Sequence, residues 1–322
     1  MLEVSDLHIH LPTRRGMAEA VRGVDFTLAR GGTLGLIGES GCGKSLTALA
    51  LMGLLPEGAR ATGSIRFEGQ ELLGQSDRAL QRLRGNRIAM VFQEPMTALN
   101  PVHPIGHQVA EPLRLHRSLG AAEALRAAVA LLDRVGIPDA ARRARDYPHQ
   151  FSGGQRQRIT IAMALACGPD LLVADEPTTA LDATVQRQIL RLIQELVAER
   201  GMALLLISHD LGVIAQNVGR MLVMYGGSVV ESGPTAEVFS AMRHPYTRGL
   251  FAARPRLGQP LGPGQRLPTI AGTVPELADL PAGCPFAGRC AWTQQRCHTE
   301  RPEATVLHDG HEVRCLRPEA MA

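Results

Sequence analysis

The sequence predicts an α/β domain built on a largely parallel sheet, followed by a small cysteine-containing C-terminal extension. Three observations predict this. From residue 1 to about 240, apolar strand-like runs alternate with helical patterns, as parallel strands joined by crossover helices require. A glycine-rich turn separates the first clear strand from the first clear helix. From about residue 244 the texture becomes rich in Pro and Gly, and four of the six cysteines cluster between 284 and 315.

Composition narrows the function classes. A chain of 322 residues with 45% hydrophobic and 20% charged residues is long enough for one large globular domain and an appendage. A net charge of +3, with arginines scattered among acids, argues against a nucleic-acid or strongly basic membrane surface. "MLEVSDLHIH" has no basic segment leading into an apolar run, so no signal peptide is expected. Apolar stretches such as "LTALALMGLL" fall short of the roughly 18 residues that span a bilayer. A membrane role would therefore go through a partner. Six cysteines without an export signal argue against a disulfide scaffold.

The strands expected on this pattern are 33–38 (TLGLIG), 88–93 (IAMVFQ), 171–176 (LLVADE) and 203–208 (ALLLIS), with a helix-rich insert between the second and third. The first strand runs into "GLIGESGCGKSLTAL", which fits G-x-x-x-x-G-K-[ST] in the strand–loop–helix context the motif needs. The loop comprises Gly38, Glu39, Ser40, Gly41, Cys42 and Gly43, followed by Lys44 and Ser45. Glycines let backbone N–H groups curl around a phosphate, the helix N-terminus adds its positive end, and Ser45 is placed to ligate Mg²⁺. Lys44 is the chain's only lysine among 34 basic residues. Its compact ammonium fits between the β- and γ-phosphates of a nucleotide, where a broad planar guanidinium would not.

The third strand ends in Asp175 and Glu176, at the carboxyl edge where open α/β sheets bind ligands. Asp175 suits a Mg²⁺ shell and Glu176 the polarising of an attacking water. Taken alone, the pair also reads as a strand running into an acidic loop. In "FSGGQRQR", Ser152, Gly153, Gly154 and Gln155 open a helix with unobstructed N–H groups, a second anion site or an ordinary helix capped by Ser152. Two such helix ends with one lysine between them suggest two chains sharing each nucleotide.

Together these motifs resemble the nucleotide-binding subunits of ABC transporters, over residues 2 to about 240. The resemblance implies a P-loop NTPase fold of the ABC type with a helical subdomain, binding ATP with Mg²⁺ and hydrolysing it. It makes Gln93 in "VFQEP" the residue that couples to the transmembrane partner and adds it to the Mg²⁺ and catalytic sets beside Glu176. "FSGGQ" departs from the family's "LSGGQ" only at its first residue. Ala180, Leu181 and Asp182 match the family's D-loop, and His209 in "ISHDL" its switch histidine, which senses the γ-phosphate. The family's adenine-stacking aromatic has no counterpart; Leu11 stands there, with His8, His10, Arg14 and Arg15 nearby.

"FQEPMTALNPV", "YPHQFSGGQRQR", "DEPTTALDATVQRQIL", "SHDLGVIA" and "HPYTRGL" are similar, more narrowly, to the dipeptide/oligopeptide importer branch and to its D-type ATPase. That resemblance implies a homologous ATPase partner, two transmembrane permease subunits, indirect contact with a substrate-binding protein, no nucleic acid, and a peripheral place on the cytoplasmic face of the inner membrane. Nickel and sugar importers share the branch. A soluble ABC ATPase of iron–sulfur assembly is the reading outside transport. The expected domains are 1–243, with a helical insert at about 95–165, and an extension over 244–322.

Within the extension, 244–268 reads as an irregular tether. Cys284, Cys290, Cys297 and Cys315 follow the spacing C-x₅-C-x₆-C-x₁₇-C. Four thiols in a short Pro-interrupted segment ask for a metal. The close pairs usual for zinc are missing, and wider spacing suits an iron–sulfur cluster. The branch resemblance points the same way, to a [4Fe–4S] cluster, with zinc or free thiols as alternatives. Cys42 reads as a small residue filling an unrestricted position of the phosphate loop, and Cys167 as buried helix packing near Gly168–Pro169.

Overall fold

Leu171, Leu172, Val173 and Ala174 are completely buried, as a run of apolar residues in a central parallel strand should be. A computed structural model of the chain describes residues 1–179, 181–253, 268–308 and 310–318. Contacts divide it into two units, one formed by Leu28–Thr33 and Gly74–Ile207 with Met1, the other by Leu2–Thr27, Leu34–Leu73 and Ser208–Ala322.

In the first unit, the strands Ile88–Val91, Leu171–Asp175 and Ala203–Ser208 pair in parallel, Ile88 opposite Leu171 and Leu171 opposite Ala203. The helices Ile105–Arg117, Ala121–Arg134 and Gly153–Ala164 follow the second-strand loop. In Ala121–Arg134 the residues Ala124, Ala128 and Leu132 are fully buried, the i, i+4, i+8 stripe of an amphipathic helix. Asp170, just before the central strand, accepts bonds from Arg30 Nη1 at 2.9 Å and Arg87 Nε at 2.6 Å. Burial works against its charge, but the two guanidiniums prevail and lower its pKa.

The second unit holds two sheets. The strands Gly16–Leu28, Leu2–Thr13, Arg60–Phe67 and Gln70–Glu71 lie in that order, with Leu2 opposite Phe67 and an irregularity between Ser5 and His8. In the other, Thr33–Ile37 runs parallel to Arg220–Tyr225, with Leu34 opposite Arg220. Ser228–Pro234 then pairs antiparallel with Arg220–Tyr225, and the extension adds Glu312–Val313 and Thr305–Val306 beyond it.

The four expected strands therefore form. The second ends at Val91, leaving Phe92 and Gln93 exposed. The helix after the glycine-rich loop, Lys44–Met52, stops at Gly53, whose φ of 61° is the left-handed cap that closes a helix before Pro56.

The reading of 244–268 as an irregular tether needs correction, because Pro245–Ala252 is a helix. Proline is tolerated at a helix's first position, and His244 Nδ1 accepts the Tyr246 N–H at 3.1 Å. Burial pulls His244 down to about 4 despite the opposing charge of Glu231, which keeps Nδ1 free to accept. The rest of that stretch, 254–267, lies outside the described residues, as does Ala180 of the expected D-loop.

Glu231 anchors the extension. Its carboxylate accepts the backbone N–H groups of Arg243 (2.6 Å) and His244 (3.0 Å) and pairs with His311 Nε2 at 2.8 Å. Glu231 and His311 are at most 1% exposed. Glu231→Ala strands two donors and a buried imidazole, and is expected to cost about 3 kcal/mol or more. Urea denaturation of the full chain checks this; a loss below about 1 kcal/mol, the size of one net hydrogen bond, would show that the anchor is dispensable.

Candidate functional site

In the second unit the strand Thr33–Ile37 ends against its neighbour, and the chain turns at Gly38. A Cβ there would lie 2.1 Å from the Met224 carbonyl oxygen, so the turn tolerates no side chain. Gly43 stands at φ 102° as the N-cap of Lys44–Met52, a backbone state open to glycine at little cost. No side chain caps this helix end, which leaves its first N–H groups available to an anion.

Lys44 is 5% exposed. Its Nζ donates to the carbonyls of Gly38 (2.8 Å) and Glu39 (3.1 Å) and approaches Cys42 Sγ at 3.6 Å. The ammonium thus folds back over its own loop, which satisfies a buried cation through loop carbonyls. Cys42 is 1% exposed, and burial raises its pKa despite Lys44, so it stays a thiol that packs. Cys167 is buried likewise. Glu39 donates its N–H to Tyr246 Oη at 2.8 Å, and its carboxylate meets Arg289. His209 is exposed at the end of the strand Ala203–Ser208, one residue before Asp210 caps the helix Leu211–Asn217.

In the first unit, Asp175 is 5% exposed at the end of the central strand. Glu176 follows at φ 45°, a left-handed state that a non-glycine residue occupies at some cost and that clusters at functional positions. Its N–H donates to Ile207 O at 3.0 Å. Its Oε2 accepts from Gln93 Nε2 at 3.2 Å and from Thr179 Oγ1 at 2.9 Å. Gln93, Glu176 and Thr179 therefore form one constellation; the sequence reading lacked Thr179.

Ser152 Oγ accepts the Gln155 N–H at 3.3 Å while Gln155 Oε1 accepts the Ser152 N–H at 3.1 Å, a reciprocal capping box. A Cβ on Gly154 would meet Val185 Cγ1 at 2.6 Å, so this glycine serves close helix packing, whereas Gly153 is exposed. Asp182 caps the helix Ala183–Arg200, accepting from the N–H groups of Thr184 and Val185 at 3.0 Å each.

In the extension, Cys284, Cys290, Cys297 and Cys315 line one cavity with Phe286 and Trp292. Burial, reinforced by the neighbouring cysteines, pushes the Cys284 thiol up to about 12. A thiolate there needs a cation to hold it. Among the described residues, no group of three or more His, Cys, Asp and Glu side chains is arranged to hold one metal ion. No described helix is long and apolar enough to cross a membrane.

The chain is similar to known proteins over most of its length. Residues 21–179 match the family model described as ABC transporter, and residues 230–297 match that of the oligopeptide/dipeptide transporter C-terminal region. A Brucella melitensis protein named for peptide import ATP binding is 51% identical, covering 100% of this chain and 98% of its own length. A peptide ABC transporter ATP-binding protein of Sinorhizobium fredii is 46% identical over 98% of this chain and 95% of its own. Among solved structures, the dimeric ATP-binding cassette MJ0796 in a post-hydrolysis state with ADP and Pi superposes with a TM-score of 0.66. It is 26% identical over 73% of this chain and 99% of that one.

Proposed function

The chain belongs to the ATP-binding subunits of ABC transporters, and from that membership we propose that it hydrolyses ATP to power the import of dipeptides or oligopeptides. The observation that carries the reading is the buried Lys44 held over an uncapped helix start, behind a turn that only Gly38 permits. Gly38–Ser45 receive the β- and γ-phosphates, and Lys44 exchanges loop carbonyls for phosphate oxygens. Ser45, Asp175 and Gln93 offer the hard oxygen donors that suit Mg²⁺, and the nearly buried Asp175 carboxylate fits such a cation. Bound there, Mg²⁺ would neutralise charge on the phosphate oxygens.

Glu176 orients the attacking water, and Gln93 and Thr179 fix its carboxylate through Oε2. His209 contacts the γ-phosphate. Ser152, Gly153, Gly154, Gln155 and Asp182 complete the nucleotide site of a homologous ATPase subunit, and this chain's nucleotide is completed by that subunit in turn. Gln93 transmits the nucleotide state to two permease subunits that a substrate-binding protein serves. The chain works as a peripheral subunit on the cytoplasmic face of the membrane, with its nucleotide-binding domain at 1–243 and its extension at 244–322. Lys44→Ala should raise the Kd for ATP at least about tenfold, and Glu176→Gln should keep ATP binding while lowering kcat about 100-fold or more. Titration calorimetry and phosphate release measure these; wild-type turnover by Glu176→Gln would refute the assignment.

Cys284, Cys290, Cys297 and Cys315 would hold a [4Fe–4S] cluster. Four soft donors on one cavity and their wide spacing support this over a single zinc ion. Bound there, the cluster would cross-link a segment poor in regular structure. Protein purified without oxygen should contain about four iron and four sulfide per chain, measured by metal and acid-labile sulfide analysis. Colourless protein free of both would refute the cluster.

A further inference from the structure

Glu39, the first residue after Gly38, is held from the C-terminal extension at both its backbone and its side chain. Tyr246 Oη takes its N–H at 2.8 Å. Arg289 Nη1 donates to Glu39 Oε2 at 2.7 Å and Nη2 to Oε1 at 3.2 Å, a two-pronged pair that fits a guanidinium and not an ammonium. Arg289 is itself locked, since Nη1 also reaches Tyr225 Oη at 3.2 Å and Nε donates to Ala271 O at 2.9 Å. The side chain is 6% exposed, against 29% for Glu39. Arg289 sits in the short turn between Cys284 and Cys290, with its N–H bonded to Phe286 O at 3.0 Å. Phe286 packs edge-on against Tyr225 at 5.1 Å between ring centres.

We propose that Arg289 is a positioning residue of the phosphate loop: it neutralises and fixes Glu39, and so lets the cysteine-bearing segment set the affinity for the nucleotide phosphates. The physical reason is charge. A carboxylate on the phosphate loop repels an incoming triphosphate unless a cation is bound to it. Glu39 also gives its carbonyl to Lys44, so a shift of Glu39 disturbs the one ammonium that faces the phosphates. None of the basic residues in the loop's own sequence can supply this neutralisation, because Lys44 is the only one and it donates to carbonyls. The partner comes from 250 residues away.

The proposal rests on the reading of Gly38–Ser45 as the ATP phosphate site, and titration of wild-type protein tests that reading separately. The experiment is a double-mutant cycle on the full chain, with the Kd for ATP measured by calorimetry for wild type, Arg289→Gln, Glu39→Gln and the double variant. Arg289→Gln should weaken ATP binding about tenfold or more, since it leaves a partly buried carboxylate unpaired. Adding Glu39→Gln should recover most of that loss, because the repelling charge goes with it. In steady-state hydrolysis the effect should fall on KM, with kcat within about twofold. Wild-type affinity in a folded Arg289→Gln protein overturns the proposal, as does a double variant that binds no better than Arg289→Gln alone. If Arg289→Gln does not fold, Arg289→Lys keeps the charge without the fork and should still weaken ATP binding measurably; unchanged affinity in that variant overturns the proposal too. Wild-type protein that binds no ATP removes the phosphate-site reading itself.

Discussion

The close approach of Gly38 to the Met224 carbonyl is the constraint on which the site depends. The strand Thr33–Ile37 lies in parallel register with Arg220–Tyr225, and any Cβ at the turn would collide with that neighbouring backbone. The turn therefore occurs where the strand ends, and it delivers the chain directly into an uncapped helix start. No other glycine of the loop is as closely confined. At Gly41 a Cβ would meet no atom within 4 Å, so glycine is favoured there by its φ of 81° and not by crowding.

The same neighbouring strand explains why the extension belongs with the phosphate loop. Tyr225 ends the strand that carries Met224, and its ring meets Tyr246 at 4.6 Å and Phe286 at 5.1 Å. Such tilted and edge-on aromatic pairs add about 0.5–1.5 kcal/mol each beyond the area they bury. Glu231 on the next strand binds the entrance of the Pro245–Ala252 helix and His311 through one buried carboxylate. The extension is thus held by a few buried polar and aromatic anchors, and beyond the Pro245–Ala252 helix the regular structure among its described residues consists of short 3₁₀ turns and two-residue strands. A segment built this way would gain from the cross-linking group proposed at its cysteines.

Much of this was legible in the sequence where local backbone geometry demands a residue type. The four apolar strands, the glycines of the phosphate loop and the Ser152 helix cap all declare themselves within a few residues. What was not legible depended on distance. Thr179 lies three residues from Glu176, yet its role needs the left-handed turn at Glu176 to bring the hydroxyl back to the carboxylate. Arg289 and Tyr246 reach Glu39 from more than 200 residues away, and no spacing rule connects them. The helix Pro245–Ala252 was hidden by averaging over a Pro- and Gly-rich stretch, although proline at its first position and the His244 cap are local signals. At Gly154 the motif also hid a packing demand, since a Cβ there would meet Val185 Cγ1 at 2.6 Å.

A peptide importer driven by this chain makes one demand that no soluble assay meets, namely that ATP hydrolysis move solute across a membrane. Uptake of labelled dipeptides and oligopeptides by cells whose native copy carries Glu176→Gln tests that most directly, against wild-type cells. Uptake is expected to be lost while the mutant protein is present at its normal level. Unchanged uptake, with the mutant protein shown to be present, would contradict a peptide importer powered here.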